Sequence, residues 1–190
     1  MRVKTLISLS MLILLAFAFI GCDDVPQQEI DGAQAALDAA KQAEADKYVP
    51  ELYNAAKQAL DKAMATVKEE ESAMFSNFDE ARNQLAAATT AAGEAANAVP
   101  AKKEEVKQAA ESMLAQIPAE VKTTMDMWRK APRGKGTREA LQLIKEDIER
   151  TDASQSEVTA ALESGDYLTA QQKAQAISAK LKSIQGELTR

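Results

Sequence analysis

The sequence has no histidine, a single cysteine, a single tryptophan, and few glycines or prolines. Without histidine the chain cannot form a Ser-His or Cys-His nucleophile, an imidazole-ligated metal site, or the Glu-x-x-His pairs of ferritin-like bundles. Two carboxylates or a Ser-Lys pair could still act in catalysis, but no such residues adjoin glycine-rich, strand-bounded loops. We therefore expect no enzymatic activity, no metal site and no dissociable cofactor.

Large apolar residues are also scarce. From residue 22 onward, Leu, Ile, Val and Phe provide 26 of 169 residues, a share at which charged chains begin to resemble disordered ones. Alanine compensates with 36 residues, and alanine is the best helix former. The composition predicts an all-α fold, an elongated antiparallel helical bundle with closely spaced, coiled-coil-like seams.

The charge balance is acidic, with a net charge of −6 over the whole chain. Binding to duplex nucleic acid is driven by cationic side chains that neutralise phosphates. We therefore expect no nucleic-acid partner.

The amino-terminal segment has the layout of an export signal. Arg2 and Lys4 precede an apolar run over residues 6–20, and Gly21 stands directly before Cys22. Phe19-Ile20-Gly21-Cys22 resembles the lipobox of bacterial lipoproteins, although that family usually has Leu where this chain has Phe19. The alternative is an uncleaved membrane anchor, but the run is shorter than the roughly 20 apolar residues that a span needs.

The resemblance implies that residues 1–21 are a signal peptide cleaved between Gly21 and Cys22. Cys22 would then carry a covalent diacylglycerol and an N-acyl lipid such as palmitate, and residues 22–30 would form a lipidated tether. The protein would face the periplasm of a bacterial cell envelope. Asp23 and Asp24 resemble the signal that retains a lipoprotein in the inner membrane, with the outer membrane as the alternative.

Residues 31–190 are expected to form one helical bundle domain. A first helix is predicted over about residues 28–47, because Ile30, Ala33 and Leu37 share one face. Pro50 disfavours helix at the preceding residue and suits the first turn of the next helix. Further on, Glu69, Glu70 and Glu71 are consecutive, so they point in different directions and indicate a solvated face rather than a metal cluster.

A strict alternation of three- and four-residue spacings begins at Phe78 and is typical of a helix packed along a left-handed seam. The series is Phe78, Ala81, Leu85, Ala88, Ala92, Ala95 and Val99. It returns 89 residues later as Tyr167, Ala170, Ala174, Ile177, Leu181, Ile184 and Leu188. The same ungapped offset aligns Leu52 with Leu141 and Ala59 with Ile148. We interpret this pattern as a duplicated helical hairpin, about residues 51–99 and 140–188, with chance register of an alanine-rich chain as the alternative.

A linking helix is predicted over about residues 101–130. Its apolar positions keep helical phase across Pro118, which favours one kinked helix over two separate ones. Its carboxyl end leads into the basic segment, residues 129–138. This segment, next to the only tryptophan, contributes the candidate anion contacts Trp128, Arg129, Lys130, Arg133, Lys135 and Arg138.

Two interpretations of this basic segment stay open. Its cations could contact phosphate head groups, lipopolysaccharide or another anionic partner. Alternatively, it is an interhelical loop whose cations favour a helix carboxyl end while Trp128 fills the core.

A second resemblance rests on Tyr48-Val49-Pro50-Glu51-Leu52-Tyr53, on the alanines that follow, and on the turn Gly165-Asp166-Tyr167. These residues are similar to a family of alanine-rich helical-hairpin lipoproteins of bacterial envelopes, which implies no known activity. Braun-type lipoproteins are also helical but end in a lysine that is joined to peptidoglycan. Because Arg190 ends this sequence, we do not expect that covalent link.

These observations give three functional hypotheses. The first is a membrane-anchored periplasmic lipoprotein that acts as a structural or adaptor protein of the cell envelope, with the membrane and an envelope protein as partners. The second is a periplasmic binding protein that holds an apolar or anionic small ligand between alanine-lined helices. The third is self-association into a homo-oligomer through an exposed heptad face.

Overall fold

The computed structural model describes residues 24–134 and 137–189, and all the regular secondary structure in these ranges is helical. The prediction of an all-α class is therefore confirmed. The helices are α1 (Gln27–Gln42), α2 (Ala45–Tyr48), α3 (Pro50–Glu71), α4 (Asp79–Lys130), α5 (Arg138–Ala153), α6 (Gln155–Glu163) and α7 (Tyr167–Leu188).

The chain forms two compact units, one ending at Val99 and the other beginning at Pro100. In unit 1, α3 and the first part of α4 form a helical hairpin, and α1 packs against both. In unit 2, α5 and α6 pair with α7 in a second hairpin, and the remainder of α4 packs against it. Each unit therefore combines one of the two predicted hairpins with an additional helix.

Helix α4 is 52 residues long and continues through both Pro100 and Pro118. The sequence predicts helical continuity across Pro118, and the structure has it. The sequence also predicts that one helix ends near Val99 and the linking helix begins near residue 101, whereas the structure has one continuous helix there. A proline in a helix interior costs about 3 kcal/mol. The helix persists because both prolines are exposed while apolar residues stay on its buried face on either side of each.

The amino-terminal helix begins where it is predicted and ends earlier. It begins at Gln27, directly after Pro26, so helix replaces the last part of the predicted tether. The carbonyl of Pro26 accepts the first helical hydrogen bond, from the Ile30 amide at 3.0 Å. The predicted single helix ends at Gln42, because Glu44 adopts a left-handed conformation with φ 69°, and α2 follows as one short turn.

The unit 1 core is built mainly from alanine. Its two largest fully buried side chains are Phe78 and Leu85. Thr66 also donates its hydroxyl hydrogen to the Gln84 side-chain carbonyl at 2.9 Å, which joins α3 to α4. The buried members of the cluster are Ala33, Leu37, Ala56, Leu60, Ala63, Val67, Phe78, Ala81, Leu85, Ala88 and Ala92.

The unit 2 core uses more β-branched side chains and no aromatic one in its described buried cluster. Its buried cluster comprises Ala110, Ile117, Val158, Ala161, Ala170, Ala174, Ile177 and Leu181. It also includes a polar pair, because the fully buried Thr124 hydroxyl accepts a hydrogen bond from the Gln185 side-chain amide at 2.8 Å and donates to the Glu120 carbonyl. The sequence pattern places Met125 on this face and misses Thr124, which is the more buried of the two.

The burial pattern repeats at the predicted offset of 89 in the second helix of each hairpin. Five positions of α4 and their counterparts 89 residues later in α7 are all buried: Ala81, Leu85, Ala88, Ala92 and Ala95 with Ala170, Ala174, Ile177, Leu181 and Ile184.

In the first helix of each hairpin the ungapped alignment fails. Leu52 is 43% exposed while Leu141 is buried, and the pairing of Ala59 with Ile148 joins a half-buried residue to a buried one. Burial matches instead at an offset of 88, with Leu60 opposite Ile148.

Candidate functional site

Several predicted site residues lie outside the described part of the chain. These are the signal peptide, the cleavage position at Gly21 and Cys22, the adjacent Asp23, and Lys135 of the basic segment. The described candidate residues are Trp128, Arg129, Lys130, Arg133 and Arg138, and all of them belong to unit 2.

Trp128 lies in the last turn of α4 and is half-buried. Its indole N–H donates a hydrogen bond of 2.7 Å to the Leu141 carbonyl in the first turn of α5. A backbone carbonyl oxygen has two lone pairs, and the helix uses only one of them, for the amide four residues later. The Leu141 carbonyl can therefore accept this second bond. Trp128 therefore links the two helices that the basic segment connects, from a half-buried position.

Arg133 lies over the Trp128 ring, with the guanidinium carbon 5.3 Å from the ring centroid. This is the geometry of a cation–π contact. Around the loop, the Gly134 amide donates to the Thr137 hydroxyl at 2.8 Å, and that hydroxyl donates to the Gly134 carbonyl at 2.9 Å. Arg133 and Arg138 are the residues directly before Gly134 and directly after Thr137, so they flank this hydrogen-bonded turn.

The cations of the segment are not equivalent. Arg129 is bound to Asp126 at 2.8 Å, one turn earlier on α4, so its charge is partly neutralised. Within the described ranges, no carboxylate forms an ion pair with Lys130, Arg133 or Arg138. Among the described residues of the segment, the unneutralised positive charge is therefore carried by these three exposed side chains.

An open groove of about 710 Å³ lies beside Trp128. Its lining includes Arg133, Gly134, Thr137 and Arg138, together with the carboxylate of Glu139. Two guanidinium groups and an aromatic face can hold an anion with an apolar portion, because arginine binds phosphate or carboxylate with two parallel hydrogen bonds. In this part of unit 2, Trp128 joins α4 to α5, and Arg133 and Arg138 line the groove beside it.

Two ion pairs across the unit 2 hairpin escaped prediction. Lys180 on α7 donates to Asp147 on α5 at 2.8 Å, and this hydrogen bond lowers the pKa of the Asp147 carboxyl below its ordinary value. Lys173 on α7 donates to Glu157 on α6 and lowers the pKa of that carboxyl in the same way. Pairing between helices depends on their rotation, which composition and spacing do not fix.

A second feature missed by the sequence pattern is a pair of exposed apolar residues. Met74 and Phe75 lie between α3 and α4 and are 89% and 81% exposed. The available signal was their position, since both stand outside the helical periodicity that defines the core.

In the described ranges there is no cluster of acidic and cysteine side chains that could hold a metal ion. Glu69 and Glu71 are exposed at the end of α3, as expected of a solvated face, whereas Glu70 is half-buried and accepts a hydrogen bond from the Asn77 amide. No helix within the same ranges is both long and apolar enough to cross a membrane.

Comparison with known proteins gives no assignment. The chain has no significant match to a protein-family model, a curated protein or a solved structure. Its function must therefore be argued from its own residues.

Proposed function

We propose that this protein is a lipid-anchored lipoprotein of a bacterial cell envelope and acts there as a structural or adaptor protein without catalytic activity. The observation that carries the proposal is the segment Phe19-Ile20-Gly21-Cys22, which ends an export-signal-like run shortly before the first helix. An acylated Cys22 would place the two helical units next to a membrane on its periplasmic side.

The described residues are consistent with a short link between anchor and fold. Asp24, two residues after Cys22, is bound through its carbonyl to the Arg82 guanidinium at 3.3 Å. Glu29 lies 3.8 Å from the same side chain. A lipid at Cys22 would therefore hold unit 1 close to the bilayer instead of trailing it on a long flexible linker.

The adaptor role predicts a specific envelope partner. We expect chemical crosslinking in intact cells, followed by purification from membranes, to recover the protein joined to a reproducible partner. The Cys22→Ser variant should lose that partner, because it would no longer be processed and anchored. Recovery of the wild-type protein alone, at matched expression, would argue against an adaptor.

A second function is favoured by the groove beside Trp128. The Arg133 and Arg138 side chains could bind an anionic lipid or glycolipid head group there, as in the ligand-binding hypothesis. The lining is polar and cationic, which favours the anionic ligand over the apolar one held between alanines.

Thermal unfolding with and without an anionic phospholipid dispersed in detergent tests this second function. Binding to the folded state raises the unfolding temperature, by an amount set by ligand concentration relative to Kd. We expect a rise for the wild type that is lost in Arg133→Gln and Arg138→Gln. Arg129→Gln is the matched control, because its guanidinium already pairs with Asp126. An equal rise in all four proteins would exclude the groove as the site.

A further inference from the structure

The connection between α3 and α4, residues 72–78, exposes two large apolar side chains that do not contribute to the core. Met74 and Phe75 are 89% and 81% exposed, whereas Phe78, three residues later, is buried in the core at 1%. The Phe78 side chain therefore anchors the connection to unit 1, whereas Met74 and Phe75 have no such role in the fold. Exposed apolar groups that lie together often mark an interaction site.

The equivalent connection in unit 2 shows that such residues are not needed to close a hairpin. Residues 164–166 join α6 to α7 in three residues, with Gly165 in the left-handed conformation at φ 79°. The Asp166 amide donates to the Ala161 carbonyl, and its side chain accepts from the Thr169 amide at 3.2 Å. This connection is polar and complete in itself, so the longer, apolar one in unit 1 calls for another explanation.

The entry of the chain into unit 1 lies at the same end of the hairpin as Met74 and Phe75. The Asp24 carbonyl is held by Arg82, which is in the first turn of α4, directly after the connection. Val25 also shares a surface depression with Met64 and Glu71, in the last turns of α3. The hydrogen bond and the shared depression therefore place residues 24 and 25 at the end of the hairpin that carries the exposed pair.

This position puts Cys22 within a short reach of the connection. Cys22 is two residues before Asp24, which corresponds to at most about 7 Å of extended chain. Acyl chains on Cys22 would draw this end of unit 1 to the bilayer surface. The opposite end of the hairpin, near Leu52, is about 28 Å away along α3.

The charges around the pair favour one kind of surface. Glu70 and Asp79 flank the connection, and Glu70 accepts a hydrogen bond from the Asn77 amide at 3.1 Å. These carboxylates would be repelled by a strongly anionic membrane. The apolar pair therefore suits the interface of a lipid layer with neutral head groups, which accepts Met and Phe side chains without requiring cations.

We propose that Met74 and Phe75 insert into the same lipid monolayer that holds the acyl chains of Cys22, so that unit 1 stands with this end on the membrane. The inference rests on the proposed lipoprotein function and adds a second membrane contact to it. Two apolar side chains alone would bind a bilayer only weakly. Next to an existing anchor, their insertion becomes an intramolecular step at high effective concentration.

The test uses the full-length protein purified from bacterial membranes and reconstituted into phosphatidylcholine vesicles. Phe75→Cys is labelled with an environment-sensitive fluorophore, and Leu52→Cys, at the far end of α3, is the matched control. Both sites are exposed in the fold, so neither label disturbs the core. Intact mass and vesicle flotation establish first that Cys22 is acylated and that each protein is membrane-bound.

We expect the label at position 75 to emit at shorter wavelength and to be strongly quenched by spin-labelled lipid, while the label at position 52 stays solvent-like and unquenched. Solvent-like emission at both positions in an acylated, floating protein would overturn the insertion and leave the lipoprotein function intact. A shift at position 75 that requires a high protein-to-lipid ratio would assign the pair to a second copy instead. An unacylated protein that does not float would overturn both proposals.

Discussion

The two hairpins have the same burial pattern in their second helices and differ in their first helices and connections. Their second helices bury the same heptad series, so Ala81 and Ala170 occupy equivalent places, as do Leu85 and Ala174. Their connections differ in length, at residues 72–78 and 164–166, and only the longer one exposes large apolar side chains. The comparison teaches that two hairpins can keep the same buried pattern while their connecting segments differ in length and in the apolar surface that they expose.

The first helices differ as well. In unit 1, α3 is unbroken, and its Thr66 hydroxyl lies within hydrogen-bond distance of both Gln84 across the hairpin and the Lys62 carbonyl of its own helix. In unit 2, the Thr151 and Ser154 hydroxyls donate back to carbonyls of their own helix, and the helix is interrupted between α5 and α6. Such bonds compete with the helical ladder and often bend it.

The largest expected effect comes from removing the aromatic side chain that anchors the unit 1 connection. Phe78→Ala should lower the free energy of unfolding of unit 1 by about 3–5 kcal/mol, because the side chain is fully buried. Tyr167→Ala, at the equivalent position in unit 2, should cost much less, since Tyr167 is half-buried. Urea unfolding followed by far-ultraviolet circular dichroism measures both.

The same variant tests whether the units unfold separately. Trp128 is the only tryptophan and reports on unit 2. The two described apolar clusters share no residue, so Phe78→Ala should shift the circular dichroism transition more than the tryptophan fluorescence transition. Equal shifts by both probes would instead support the single domain that the sequence pattern predicts over residues 31–190.

A smaller effect is expected from the polar pair that distinguishes the unit 2 core. Thr124→Val keeps the shape of the side chain but leaves the Gln185 amide without its acceptor, at a cost of about 1–2 kcal/mol. Thr123→Val is the matched control, because Thr123 is exposed and bonds only to its own helix. Urea unfolding monitored by Trp128 fluorescence should separate the two variants, and equal stability would show that the buried bond contributes nothing.

A still smaller change should make α5 and α6 resemble α3. Ser154→Ala removes a hydroxyl that competes for the Arg150 carbonyl and introduces a better helix former, for a gain of about 0.5 kcal/mol. Helical content measured by circular dichroism should rise slightly. In Thr90→Ala, where the same kind of bond lies in unbroken helix, stability should rise without a gain in helical content. A loss of stability in Ser154→Ala would mean that the interruption is itself required.

The smallest effect concerns pH. The pKa values of Asp147 and Glu157 are lowered in the folded state by hydrogen bonds from Lys180 and Lys173. Their stabilisation is therefore present above the unfolded pKa values, near 4, and is lost as pH falls through the lower folded values.

In unit 1, the hydrogen bond to Asp61 raises the pKa of Lys57. The stabilisation that follows from this shift is present below the unfolded pKa of lysine, about 10.4, and is lost only as pH rises above it. Unit 2 should consequently lose more stability than unit 1 on acidification. The acid dependence of the Trp128-monitored transition should weaken in Asp147→Asn and Glu157→Gln. An unchanged dependence would show that these exposed pairs are too well solvated to matter.

The sequence predicts the repeating part of this fold well, because helical phase is a local property. The buried series from Ala81 to Ala95 and the continuity across Pro118 both follow from spacing. The offset of the first helices does not, because α3 is continuous while its counterpart is interrupted between α5 and α6. The break at Glu44 also escapes prediction, because a left-handed glutamate is held by its surroundings and not by its own preference.

The candidate site divides in the same way. The sequence alone identifies Trp128 and the basic residues that follow it, since composition reveals a cationic segment in an acidic chain. It cannot show that Arg133 covers the indole ring or that Asp126 neutralises Arg129, because both depend on how the helix ends. The exposure of Met74 and Phe75 is indicated only by their position outside the helical periodicity.

The most direct test of the central claim is the intact mass and membrane fractionation of the protein expressed in a bacterium, with Cys22→Ser alongside. The account predicts a mature chain that begins at an acylated Cys22 and fractionates with one envelope membrane, while the variant stays unprocessed. A full-length, unmodified wild-type chain would contradict it. Residues 6–20 would then be an uncleaved anchor, and the proposed membrane contact of unit 1 would lose its basis.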